Sequence, residues 1–128
     1  MRIIVKLRPA TGPTDDAAGR RTLRHVLVVN RFRVQEDDSA FRGDLEAAHE
    51  VMSRQRGYVS GDLGRNVDDP TLWTMVTRWR DVGSYRRALS TYDVKVGAVP
   101  LLSRAVDEPS AYEQLDGELN EWRPRDLG

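Results

Sequence analysis

A chain of 128 residues fits a single domain, and 39% hydrophobic residues with ten glycines is ordinary for a globular one. Twenty basic and twenty acidic residues cancel, so no long-range field draws the chain to nucleic acid or to an anionic membrane. The absence of cysteine excludes disulfides and thiolate chemistry and fits a reducing cytoplasm, and no apolar run approaches the ~20 residues of a membrane helix.

In chain order, Ile3, Ile4, Val5 and Leu7 suit a short extra strand, too short for a secretory apolar region. Residues 9–23 combine proline, glycine, alanine and charge without an apolar period, so 1–23 reads as an arm and linker. The folded domain is expected over 24–115, and the polar 116–128 as a poorly ordered tail.

Arg24 to Val34 alternates as a strand, with Val26, Val28, Asn30, Phe32 and Val34 on one face. Its other face begins apolar at Leu27 and Val29, then turns cationic at Arg31 and Arg33. Ser39 is the expected N-cap of a helix whose apolar arc holds Phe41, Leu45, Ala48 and Met52, with His49 on the edge and Gly57 as the stop. Tyr58–Arg65 and Leu72–Arg80 are the next strands. Asp81 caps a second helix in which Val82, Tyr85 and Leu89 share a face beside Ala88. A further helical piece near Asp93–Val99 should stop around Pro100, and Ala111–Leu115 is the last strand.

The order β-α-β-β-α-β specifies an α+β ferredoxin-like sandwich: two helices on one face of a four-stranded antiparallel sheet. Its third strand is apolar on both faces, with Leu72 and Val76 on one and Trp73, Met75 and Trp79 on the other. A bare sheet face should carry a polar row. The pattern therefore predicts a second copy covering that face in a homodimer.

A small-molecule pocket is expected between sheet and helices, with Phe32, Leu45, Met52 and Met75 as apolar lining. Four polar or aromatic groups are candidates for chemistry there. Asn30, among apolar neighbours, either anchors a structural bond or meets a ligand. Trp79 either packs the core or walls the pocket. Tyr85 is an oxyanion donor or a plain core tyrosine. His49 is a proton acceptor or a hydrogen-bonded bystander. His25 and the Arg20, Arg21, Arg24 cluster read as solvent-facing. No metal-ligand set, P-loop, dinucleotide fingerprint or nucleophile elbow is present, so the chain calls for no metal and no cofactor held by the common motifs.

The turn Asp68-Asp69-Pro70, the strand ending at Trp79, Asp81 two residues on and Tyr85 six residues on resemble the antibiotic-biosynthesis-monooxygenase-like proteins. Glu108-Pro109-Ser110-Ala111-Tyr112-Glu113 forms a second such block, and the resemblance spans roughly 24–115. It implies a dimeric α/β barrel. It also implies cofactor-independent oxidation of an electron-rich aromatic metabolite of polyketide type by O2, with Trp79 and Tyr85 matching residues implicated in such enzymes. Where those enzymes carry an asparagine four residues before the tryptophan, this chain has Met75. A haem-degrading branch shares the asparagine matched by Asn30, but its axial histidine has no counterpart in residues 81–102. The alternative function is a non-catalytic dimeric binding or accessory protein of a biosynthetic pathway.

Overall fold

A computed structural model describes residues 25–35 and 38–115. The expected arm, its extra strand and the C-terminal tail lie outside these residues. Four strands, β1 (Val26–Arg33), β2 (Tyr58–Arg65), β3 (Leu72–Trp79) and β4 (Ala111–Glu113), form one sheet in the order β2-β3-β1-β4. All three pairings are antiparallel. Helix α1 (Phe41–Ser53) joins β1 to β2, and α2 (Val82–Leu89), α3 (Tyr92–Gly97) and α4 (Val99–Leu102) lie between β3 and β4. The chain is an α+β ferredoxin-like sandwich. No helix among the described residues is long and apolar enough to cross a membrane.

Register assigns the two faces. Val26, Val28, Asn30 and Phe32 sit opposite Trp79, Thr77, Met75 and Trp73. Since partners share a face, these eight residues point toward the helices. Leu27, Val29 and Arg31 therefore share the open face with Arg78, Val76 and Thr74. The core is the helix-side layer, where Val28, Phe32, Phe41 and Trp79 are fully buried and Leu45, Ala48, Met52 and Met75 nearly so. The apolar arc of α1 is thus what seats it on the sheet.

Several boundaries differ from the sequence expectation. Arg24 lies outside the described residues and β1 begins at Val26, after His25; β3 ends at Trp79, and β4 is three residues long. Ser39 does not cap α1. Ala40 holds the N-cap position without a side-chain bond, and the Phe41 N–H turns back to the Asp38 carbonyl at 3.3 Å. Gly57 does not end α1, which stops at Ser53 with the Gln55 amide bonded to the Val51 carbonyl. Gly57 instead lies in the turn into β2 at φ +91°, where a Cβ would also collide with the Ser84 side chain. Only glycine meets both demands. Pro100 does not stop a helix either. It sits in the first turn of α4, where its missing N–H has no intrahelical acceptor to lose.

Candidate functional site

At the end of β3, Trp79 is fully buried and its indole N–H donates to the Thr77 hydroxyl at 2.8 Å. Tyr58, directly across the β2–β3 pair, meets the indole edge-on with ring centres 5.5 Å apart. Tyr85 approaches the same indole at 5.5 Å from α2. That helix is positioned by Asp81, whose carboxylate accepts from the Ser84 N–H at 2.7 Å, as the sequence predicts for its cap. Burial opposes ionisation of Asp81, but the Ser84 hydrogen bonds, with Arg80 and Arg87, hold its pKa below the usual carboxylate range.

Asn30 faces the helices between Val28 and Phe32, near enough to Tyr85 to act on its phenol. Burial raises the Tyr85 phenol pKa, and Asn30 offsets part of the rise. On the other flank of Trp79, Tyr58 OH and His49 Nε2 are 2.7 Å apart. Burial, then the Asp62 charge, raise the Tyr58 pKa against the opposing effect of Arg78. Both phenols are therefore neutral at pH 7 and suited to donating a hydrogen bond rather than accepting a proton.

The structure thus places two of the sequence-predicted candidates about the Trp79 indole, Tyr85 in direct ring contact and His49 through Tyr58, with Asn30 on the same sheet face acting on the Tyr85 phenol. Tyr58, Thr77 and Gly61 escaped the sequence reading. A Cβ on Gly61 would lie 2.6 Å from both His49 Nε2 and Tyr58 OH, so the His–Tyr contact depends on glycine there. The only advance signal was Gly61 itself, since a glycine inside a strand marks a close approach.

The open pocket expected beneath the helices is filled. Phe32, Leu45, Met52 and Met75, the expected lining, are each at most 1% exposed and pack against one another in the core. Two cavities lie elsewhere among the described residues, and neither is lined by Asn30, His49, Trp79 or Tyr85. One, of about 360 Å³, indents the open sheet face over Leu27, Val29, Leu72 and Val76. The physical reason is side-chain volume, because large residues from α1 and β3 occupy the space between the layers.

The open face is apolar at its centre and charge-neutralised at its rim. Arg31 donates twice to Glu108, at 2.7 and 2.8 Å, and Arg78 lies 3.5 Å from Asp62. The Arg31 bonds lower the Glu108 pKa. Among the described residues no group of three or more His, Cys, Asp or Glu side chains is placed to hold a metal ion.

A family model described as "Antibiotic biosynthesis monooxygenase" matches residues 25–98. No curated protein matches at the sequence level. Among solved structures, SnoaB from Streptomyces nogalater, a cofactor-independent oxygenase, is 26% identical with a TM-score of 0.63, covering 77% of this chain and 99% of that one. A conserved protein from Methanosarcina mazei Go1 is similar at 22% identity and TM-score 0.59, over 71% of this chain and 93% of that one. Protein SO0527 from Shewanella oneidensis aligns at 17% identity and TM-score 0.59, over 71% and 91%. The last two likenesses concern the fold alone.

Proposed function

We propose that this chain, which belongs to the antibiotic biosynthesis monooxygenase family, is a homodimeric, cofactor-independent oxygenase acting on an electron-rich aromatic metabolite of polyketide type. The observation that carries the proposal is the Tyr85–Trp79–Tyr58–His49 cluster, two neutral phenols and an imidazole about one buried indole, with the Asn30 amide on the same sheet face. The likeness to SnoaB supports the same reaction class.

The chemistry follows from those groups. An activated methylene beside a phenolic ring loses a proton to His49, through Tyr58. The resulting anion reduces O2. One oxygen atom becomes the new carbonyl, the other leaves as water with both methylene hydrogens, and the substrate supplies all the electrons. Neutral Tyr85 and the Asn30 amide donate to the oxyanion as it develops, and Trp79 flanks the aromatic plane. Entry requires displacement at α2, where Tyr85 and Leu89 are only partly buried.

Dimerisation is part of the proposal. The apolar centre of the open sheet face, with its neutralised arginines, suits a second copy better than water.

A specific observation favours a second reading, a non-catalytic binding or accessory protein: Met75 is buried in the filled core at the position where the resembling oxygenases carry an amide. Oxygen uptake and quinone absorbance decide between the two. Metal-free protein should accelerate both with anthrone-type phenols. A rate no greater than buffer across a broad panel contradicts the oxygenase.

A further inference from the structure

Two cavities meet at Gly64, Arg65 and Trp73, at the far end of β3 from Trp79. The second of them, about 440 Å³, is also bordered by Asp38, Ser39 and Arg42. Trp73 stands edge-on to Phe41 with ring centres 5.4 Å apart, and the Arg65 guanidinium roofs its indole at 5.3 Å. Its Nε1–H is buried and has no hydrogen-bond partner among the described residues. Buried polar groups are normally paired, so this donor asks for an acceptor.

Charge points the same way. Arg42 pairs with Glu46 at 3.1 Å, and Asp38 lies 3.6 Å from Arg104. Arg65 is exposed, stacks on Trp73, and forms no ion pair with a carboxylate among the described residues. Among the described residues, one uncompensated guanidinium and one orphan indole donor therefore share a polar cavity.

We propose that this cavity binds a small carboxylate-bearing molecule, whose carboxylate pairs with Arg65 and accepts from Trp73 Nε1 as Arg65 swings off the indole face. A guanidinium fork matches a carboxylate's two oxygens. The one guanidinium of the cavity without a carboxylate partner among the described residues balances a monoanion, whereas a doubly charged phosphate would be repelled more strongly by the Asp38 carboxylate on the same wall. Trp73 precedes Trp79 by six residues on the same strand face, roughly 20 Å away. The site is thus independent of the oxygenase cluster.

The test is a titration of the full, nitrogen-labelled chain with benzoate, reading the indole N–H signals by NMR. Trp73→Phe identifies which of the three tryptophan indoles is which. The Trp73 signal should move and saturate with benzoate and stay still with neutral benzamide. Arg65→Gln, a change at an exposed position, should weaken the apparent affinity by about tenfold, the scale of a charge-assisted pair. A motionless Trp73 signal at millimolar benzoate overturns the proposal. So does an equal response to benzamide or inorganic phosphate, or an unchanged affinity in Arg65→Gln.

Discussion

The Trp79 indole donates to the hydroxyl of Thr77, two residues earlier on the same strand face, and both side chains are sealed from solvent. Valine at position 77 matches threonine in shape but accepts nothing. Thr77→Val should therefore lose about 1–3 kcal/mol, the cost of a buried donor left unpaired. Thr77→Ser keeps the acceptor and loses only a methyl, about 0.8 kcal/mol. Urea unfolding followed by tryptophan fluorescence should rank wild type above serine above valine. A valine variant at least as stable as serine contradicts the assignment.

Gly61 is the position on which the His49–Tyr58 contact turns. An alanine Cβ there would press on His49 Nε2 and Tyr58 OH at 2.6 Å and on the Val76 carbonyl at 3.1 Å. Gly61→Ala should cost about 1–3 kcal/mol through overpacking. In a Tyr58→Phe background one of the colliding atoms is gone, so the same substitution should cost less. Equal losses in the two backgrounds would show that the crowding lies with the backbone and not with the His–Tyr pair.

Asp69 sets the acid sensitivity of the turn before β3. Its carboxylate accepts from the Thr71 hydroxyl at 2.6 Å and from the Thr71 N–H at 3.0 Å, and it pairs with Arg33. The Thr71 hydrogen bonds come first, with Arg33 behind them, in lowering its pKa to about 2. A depressed folded-state pKa contributes stability above the unfolded value, near 4, and loses it as pH falls toward about 2. Asp69→Asn should therefore be less stable than wild type at neutral pH, and the gap should narrow between about pH 4 and pH 2. Denaturant midpoints across that range check the sign, and a gap that stays constant removes Asp69 from the acid response.

Much of this architecture was legible in advance because strand alternation is short-range. Val26 to Phe32 and Trp73 to Trp79 reveal their faces from their own sequence, and Asp81 announces α2 by its side chain. What escaped depends on contacts that no local pattern encodes. Tyr58 meets His49 across the α1–β2 connection only through the bulge between Tyr58 and Ser60 and the bare Gly61. Ser39 has cap chemistry, yet α1 begins two residues later on a backbone turn from Asp38. The missing hollow was equally illegible, because whether Met52, Met75 and Phe41 leave room is a matter of three-dimensional fit rather than spacing.

The open sheet face makes a prediction about mass. A dimer through Leu27, Val29, Leu72 and Val76 should sediment at micromolar concentration near twice the chain mass of 14.5 kDa. Val29→Glu places a charge at the centre of that face and should shift the mass to the monomer while circular dichroism keeps the same helix and strand content. A wild-type protein already at 14.5 kDa contradicts the dimer.

The oxygenase proposal meets its most direct test in the fate of dioxygen. An anthrone-type phenol turned over under isotopically labelled O2 should yield a quinone carrying one labelled oxygen atom, with the second in water. That yield should depend on the protein and fall sharply in Tyr85→Phe. Product oxygen drawn from solvent, or labelled product formed equally fast without protein, would contradict it.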